Sequence, residues 1–166
     1  MADAFIKCCC FSPNGRLIAV ASHGIAYVWD IANSDPHLIE TFAGHTEDIT
    51  SLIFSSPSSL ISTSKDQSVK FWKICSSSKD PLKVDPESTL LTSADIRSIT
   101  LQAKDGIIMT SDSGGVVKTW DILTGICKAS FQTPIKYPKG GDVQLINNKL
   151  IFGVHAYGKI TIWDVE

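Results

Sequence analysis

The sequence predicts an all-β fold built from four copies of one unit, and three observations lead to this prediction. The four tryptophans lie in related contexts and are separated by 43, 48 and 43 residues, at positions 29, 72, 120 and 163. A fixed period in this range is typical of repeat architectures. Apolar residues alternate over short runs rich in β-branched side chains, and no segment keeps a 3.6-residue period.

Turn-forming residues divide the chain into fifteen predicted strands. Pro, Gly, Asn and Ser mark turns at residues 12–15, 34–36, 56–58, 105–106, 124–125 and 147–148. The predicted strands are 5–11, 16–22, 25–30, 38–43, 48–54, 59–64, 68–73, 88–92, 96–102, 107–111, 116–121, 127–131, 142–146, 150–155 and 159–164. They form four units at residues 1–43, 44–92, 93–131 and 132–166. The Ser- and Pro-rich segment 75–86 lengthens the second interval, so we expect an exposed loop there.

Composition and charge narrow the function classes. The 166 residues carry 15 Lys and Arg against 17 Asp and Glu, a net charge of −2, which gives no strong field for nucleic acid or a membrane surface. Neither a run of about 18 apolar residues nor a secretion signal is visible, so the expected location is cytoplasmic, with the nucleus as an alternative. The run Cys8–Cys10, Cys75 and Cys127 lack paired metal-site spacing. The sequence therefore predicts reduced thiols, no metal site and no cofactor.

The second unit carries a recognisable motif. It begins at Gly44-His45, continues through alternating strands to Ser62, Ser64 and Asp66, and closes at Trp72. This pattern resembles the WD-repeat family of β-propellers. The other three units end in the family's Trp-Asp signature, which falls at Trp29-Asp30, Trp120-Asp121 and Trp163-Asp164.

The resemblance implies four-stranded antiparallel blades around a channel, and a non-catalytic scaffold that binds a protein or peptide partner on its loop face. Each unit would give three inner strands of a blade and then its outer strand. Two other functions stay open: a ligand-sensing segment of a larger multidomain signalling protein, and a lectin-like propeller that binds small ligands.

The second unit also contains the residue types of a hydrolase triad, in His45, Ser62 and Asp66. The resemblance implies instead that these three residues and Trp72 form a buried, structural chain of hydrogen bonds. Their donors and acceptors can satisfy one another, with Ser64 as an alternative to Ser62. No Gly-x-Ser-x-Gly elbow is present, so we expect no catalytic residue and no enzyme.

The other units lack this full tetrad. Six residues before each remaining Trp, where the second unit has Asp66, stand His23, Gly114 and Tyr157.

Candidate partner-binding residues follow from aligning the innermost strands. When those strands are aligned on their first apolar residue, four polar residues fall in equivalent positions: Lys7, Thr50, Arg97 and Gln144. In the family this position lies near the mouth of the channel. Two of the four are basic and none is acidic, which favours an acidic or phosphorylated peptide. Lys136 and Tyr137, in the loop of residues 132–141, are further candidates, because Tyr is enriched at binding hot spots.

The strand count leaves the last blade without an outer strand, so the sequence predicts an open arrangement of four blades. Three alternatives follow for closure. The chain is part of a longer propeller, or it pairs with a second copy or another WD-repeat segment to complete a ring, or its four blades close on themselves.

Overall fold

A computed structural model describes residues 5–75, 86–132, 141–146, 149–154 and 159–164, and in the last three ranges it describes the side-chain environment of Val143 alone. All regular elements in these ranges are β-strands. They fall into two compact units, Met1–Thr92 and Ser93–Glu166. The all-β prediction is confirmed.

The first unit holds two antiparallel four-stranded sheets. The first sheet runs in the order β1 (Ile6–Phe11), β2 (Leu17–Ser22), β3 (Ile25–Asp30) and β4 (His37–Ala43). The second sheet runs β5 (Ile49–Ser56), β6 (Ser59–Ser64), β7 (Ser68–Lys73) and β8 (Ser88–Leu91).

The second unit holds a four-stranded and a three-stranded sheet. The third sheet consists of β9 (Ile96–Gln102), β10 (Ile107–Asp112), β11 (Val116–Asp121) and β12 (Cys127–Gln132). The fourth consists of β13 (Gly141–Ile146), β14 (Lys149–Val154) and β15 (Lys159–Asp164). The predicted strands match these bounds closely. Most of the predicted loop at 75–86 lies outside the described residues, and the division into units 1–43, 44–92, 93–131 and 132–166 stays a prediction.

The core of the first unit lies between its two sheets. Alternate residues of β2 and β3 point to the second sheet, and at this face they are small: Ala19, Ala21 and Ala26 are fully buried. Small side chains let the sheets approach closely, so that the aromatic ring of Trp72 fits between them and stacks on Phe42 at 5.0 Å. The alternation in sequence thus becomes one face packed against a neighbouring sheet.

The turn between the second and third strands differs in length from sheet to sheet. The first sheet uses two residues, His23 and Gly24, whereas the second uses residues 65–67 and the third uses residues 113–115. The signature tryptophans are nevertheless aligned in the ladders, because Trp29 pairs with Ile18 as Trp72 pairs with Leu60. Counting back from Trp29 therefore misaligns the first sheet, and its two-residue turn has no counterpart of Asp66. Tyr157 lies outside the described residues.

Candidate functional site

The four tetrad residues of the second sheet are brought together by three segments of chain. Trp72 on β7 donates its indole N–H to Ser62 Oγ on β6, at 2.8 Å. Ser62 Oγ lies 2.7 Å from Nε2 of His45, and His45 Nδ1 lies 2.8 Å from Oδ2 of Asp66. Ser62 and the His45 side chain are fully buried.

The donors and acceptors of this network define one direction. An ionised Asp66 only accepts, so His45 carries its proton on Nδ1 and accepts the Ser62 hydroxyl proton at Nε2. The chain of hydrogen bonds then runs from Trp72 through Ser62 and His45 to Asp66. Burial lowers the pKa of His45 in spite of the neighbouring carboxylate, which keeps the ring in the neutral form that this direction requires.

Asp66 is held at the turn by further hydrogen bonds. Ser68 donates its hydroxyl to Oδ1 at 2.6 Å, and the backbone N–H groups of Thr46 and Ser68 donate to the same carboxylate. Burial alone would raise the pKa of Asp66, but the hydrogen bonds from Ser68, His45 and Thr46 lower it overall. The carboxylate therefore fixes the turn to the segment that precedes β5.

The two candidate serines have different partners. Ser62 bonds to Trp72 and His45, whereas Ser64 donates to the backbone carbonyl of Glu47 at 3.1 Å. The glycine before His45 has a packing reason, since a Cβ at Gly44 would lie 3.1 Å from Cη2 of Trp72. A fully buried Ser62 that accepts a hydrogen bond from an indole cannot meet a substrate, so this arrangement locks the fold.

The third sheet keeps part of the same network, which the sequence prediction missed. Trp120 donates its indole N–H to Oγ1 of Thr110 at 2.9 Å. Asp112 accepts the backbone N–H groups of Gly114 and Val116 across the turn. The signal was present in the sequence, because Thr110 and Ser62 both stand ten residues before the tryptophan. In the first sheet the equivalent ladder position is occupied by Val20, which has no hydroxyl.

The signature aspartates cap the link to the outer strand. Asp30 Oδ1 accepts the N–H of Ala32, and its Oδ2 accepts two hydrogen bonds from Arg16, which hold its pKa below the usual range. Asp121 accepts the N–H groups of Leu123 and Thr124, while Lys128 is chiefly responsible for lowering its pKa to about 2. Trp163 and Asp164 are the last two residues of β15. The environment of their side chains is not among the parts of the chain that the structure describes.

Three of the four partner-binding candidates that were predicted near the channel mouth are the extra residues of β-bulges. The ladders skip Lys7, Thr50 and Arg97, each of which is the extra residue of a β-bulge near the start of its sheet's innermost strand. A bulge changes the direction of its side chain and often lies beside a functional site. Gln144 is different, because β13 pairs regularly with β14 and places Gln144 opposite Ile151. Its predicted equivalence to the other three is therefore wrong.

In the first unit the bulge residue Lys7 belongs to a basic cluster, which consists of Lys7, His23 and Lys65 around Asp48. The ammonium groups of Lys65 and Lys7 lie 2.9 and 3.5 Å from Oδ2 of Asp48, and His23 Nδ1 lies 3.2 Å from Oδ1. Lys65 chiefly lowers the pKa of Asp48 to about 2, with contributions from His23 and Lys7. The three basic side chains are 39–66% exposed, so two ammonium groups share one carboxylate at the surface.

The remaining candidates do not join this cluster. Thr50 Oγ1 lies 3.1 Å from Thr63 Oγ1. Arg97 lies 3.9 Å from Asp95, and its buried Nε has no hydrogen-bond partner. Lys136 and Tyr137 lie outside the described residues.

The first unit also contains a cavity outside the basic cluster. A cavity of about 280 Å³ in the first unit is lined by residues that include Arg16, Asp30 and His37. It lies away from the basic cluster, and its guanidinium is already paired with Asp30. Among the described residues no group of three or more His, Cys, Asp or Glu side chains is placed to hold a metal. The described residues form no helix that is long and apolar enough to cross a membrane.

The recurring Trp network and the sheet order agree with comparisons to known proteins. Residues 2–30 and 36–73 match the family model described as WD domain, G-beta repeat. Residues 2–73 of this chain therefore contain WD repeats. The four sheets of the chain have the antiparallel strand order of blades in that family's fold.

Related WD-repeat chains are longer than this one. The COMPASS component SWD3 of Saccharomyces cerevisiae is 32% identical over 165 residues, which cover 93% of this chain and 50% of the relative. WD repeat-containing protein 37 of Homo sapiens is 27% identical over 121 residues, which cover 72% of this chain and 23% of the relative. The target of rapamycin complex subunit wat1 of Schizosaccharomyces pombe is 26% identical, over 76% of this chain and 38% of the relative. The chain thus spans between about a quarter and a half of these relatives.

A solved structure shares the fold across the whole chain. The crystal structure of the computationally designed Ika4 protein matches with a TM-score of 0.75 and 22% identity, covering 100% of this chain and 94% of the other. At this identity the likeness concerns the fold alone.

Proposed function

We propose that this WD-repeat chain is a non-catalytic scaffold, and that the basic cluster of its first unit binds an acidic or phosphorylated segment of a partner protein. The observation that carries the proposal is the sharing of Asp48 by Lys7 and Lys65. Each ammonium group has three donors, and the single carboxylate cannot use them all. The cluster therefore keeps a net positive charge and free N–H groups for an incoming anion.

The backbone supports this role. Lys7 is held on a bulge, Lys65 lies in the turn after β6, and Asp48 binds the backbone N–H of Lys65 through its own carbonyl at 3.1 Å. The backbone that carries the two lysines is thus fixed before a ligand arrives, which reduces the entropy lost on binding. The names of two relatives, a complex subunit and a complex component, fit a scaffold that works with protein partners.

The enclosed tetrad supports a non-catalytic role. His45, Ser62 and Asp66 have the hydrogen-bond order of a triad, but Ser62 is fully buried and receives the Trp72 N–H. No described feature favours a lectin-like or ligand-sensing function over a protein scaffold. The cytoplasmic location, with the nucleus as alternative, stays a prediction.

The test uses degenerate peptide libraries that contain phosphoserine or Glu at a fixed position, and matched libraries with Ser or Gln there. We expect the wild-type chain to bind the acidic libraries more tightly in fluorescence anisotropy, with an affinity that falls as salt rises. Lys7→Glu should abolish the preference, and Lys65→Gln should weaken it.

The matched control is Lys73→Glu, because Lys73 is 61% exposed and lies at the other end of the second sheet. It makes the same change in net charge and should leave binding unchanged. Equal affinity for acidic and neutral libraries, or full binding by the Lys7→Glu chain, would overturn the proposal.

A further inference from the structure

The first sheet has one covered face and one open face. Its covered face, with Ala19, Ala26 and Val28, packs on the second sheet. The side chains that alternate with these form the open face. It is defined by six residues: Ile6, Cys9, Phe11, Val20, Tyr27 and Trp29. They are neighbours by the register of β1, β2 and β3, which pairs Cys9 with Val20 and Val20 with Tyr27. None of these six residues is an Asp, Glu, Lys, Arg or His.

This open face exposes large apolar groups. Ile6 is 67% exposed, Phe11 61% and Trp29 38%. Val20, Tyr27 and Trp29 also line an apolar groove of about 400 Å³ with Ile6. Monomeric proteins rarely expose contiguous apolar patches larger than a few hundred Å², and such patches commonly mark interaction sites.

The structure itself shows what kind of surface covers such a face. By ladder register, Ile6, Phe11 and Trp29 correspond to Ile49, Phe54 and Trp72 of the second sheet. In the second sheet these positions are buried, with Ile49 and Trp72 each only 1% exposed, because the small-residue face of the first sheet lies on them.

The open face is also more apolar than its covered counterpart. Val20 stands where the second sheet has Ser62, and Tyr27 stands where it has Lys70. The open face therefore has the form of a sheet-packing surface, and its complement is a sheet face with small central side chains and an outer-strand aromatic, as Phe42 provides for Trp72.

We propose that the open face of the first sheet docks a sheet of a second copy of this chain. The relative SWD3 is matched over half its length, so two copies supply as many residues as one such WD-repeat chain. Four strands of about six residues cover roughly 20 Å by 20 Å. Once side chains interdigitate, a face of this size buries an area near the lower end for stable complexes, about 1,200 Å² in total. The inference is independent of the basic cluster.

The test is the molar mass of the full chain by light scattering after size exclusion, over a wide range of concentration. We expect twice the chain mass of 18.0 kDa. Replacing both Ile6 and Phe11 by Glu should halve the mass, since burying two carboxylates in an apolar interface is unfavourable. Both side chains are exposed within one chain, so folding should be kept, as circular dichroism would verify.

Two further variants guard against an indirect effect. Tyr27→Lys places on the open face the residue type that the covered face of the second sheet accepts at the equivalent position, Lys70, so it should keep the doubled mass. Leu91→Glu is the matched control, because Leu91 is 74% exposed on β8, away from this face. It should leave the doubled mass unchanged.

Thiol alkylation supplies a second readout on the same face. Burial chiefly raises the pKa of Cys8 to about 11 and that of Cys10 to about 12, so at neutral pH both react slowly and adducts in this run report the exposed Cys9. We expect Cys9 to be protected in the wild-type chain and to react as fast as Cys75 in the Ile6→Glu, Phe11→Glu variant.

A single-chain mass for the wild type would overturn the proposal. If Cys9 then reacts with the alkylating reagent, the open face is exposed to solvent. If Cys9 is protected, another part of the same chain covers the face. A doubled mass that survives the replacement of both Ile6 and Phe11 by Glu would also overturn it, because the copies would then meet elsewhere.

Discussion

The three side chains that would define a catalytic triad, Ser62, His45 and Asp66, are joined in this protein by hydrogen bonds of 2.7 and 2.8 Å, yet their surroundings give them a structural role. Ser62 has no solvent exposure and its oxygen accepts the Trp72 N–H. A hydrogen-bond chain of this kind stabilises the fold because each buried polar group finds a partner, and it loses that effect when one member is removed.

Ser62→Ala should lower the free energy of unfolding of the first unit by about 1–3 kcal/mol. The change leaves the buried indole N–H of Trp72 without an acceptor and His45 Nε2 without a donor. Urea unfolding followed by tryptophan fluorescence would measure the loss. Ser55→Ala is the control, because Ser55 lies outside the network and its hydroxyl donates a long hydrogen bond, 3.4 Å, to the Ser59 carbonyl. Equal losses for the two variants would show that the network does not stabilise the protein.

The choice between Ser62 and Ser64 could not be made from sequence, because residues two apart share a strand face. The ladder decides it, since Ser62 lies two residues beyond Leu60, which pairs with Trp72. Thr110 could have been found by the same spacing from Trp120. Residue types and their distance from the tryptophan therefore identify the network, while register selects its members.

At the scale of elements, turn lengths and bulges decide which residues of different sheets occupy equivalent positions. Counting along the sequence does not reveal them. A bulge adds one residue to a strand without adding a partner, so alternation does not reveal it. The sequence aligned Lys7, Thr50 and Arg97 correctly because their sheets share the bulge. It misplaced Gln144, whose strand pairs regularly.

The two-residue turn of the first sheet also touches the second sheet. A Cβ at Gly24 would lie 2.5 Å from the backbone oxygen of His45, and the N–H of Ile49 donates to the carbonyl of His23 at 2.7 Å. The absence of a side chain at Gly24 thus allows two backbones to meet, and it aligns the first sheet with the tetrad.

Gly24→Ala should destabilise the first unit by about 1–3 kcal/mol, because backbone atoms must shift to admit the methyl group. Gly44→Ala should cost less, since its Cβ would meet the edge of the Trp72 ring at 3.1 Å and a side chain can yield. Denaturant unfolding of both variants beside the wild type tests this order. A larger loss for Gly44→Ala would contradict the role assigned to the turn.

At the scale of the whole molecule, the two compact units differ in their buried titratable groups. The first contains His45, whose burial lowers its pKa, and the described residues of the second contain no histidine. The sequence predicts this asymmetry in part, since Gly-His occurs once. It could not show that His45 is fully buried, because burial depends on how the two sheets of the first unit pack.

Lowering the pH from 7 to 5 should therefore destabilise the first unit and leave the sheet formed by β9–β12 in the second unit nearly unchanged. The folded state binds a proton at His45 less readily than the unfolded chain does, so stability falls as pH drops through about 6.5, by at most about 1.4 kcal/mol per pH unit. Asp66 faces the ring and Lys70 lies near enough to oppose its protonation. The pKa of Asp66 lies below its ordinary value, so the stability that its carboxylate contributes is lost only under more acid conditions.

Hydrogen exchange, corrected for intrinsic amide rates, would compare peptides from residues 49–73 with those from 107–121. His45→Gln should remove the difference between the units and His37→Gln, at an exposed site, should keep it. A pH dependence that is equal in both units, or that persists without His45, would assign the acid sensitivity to other groups.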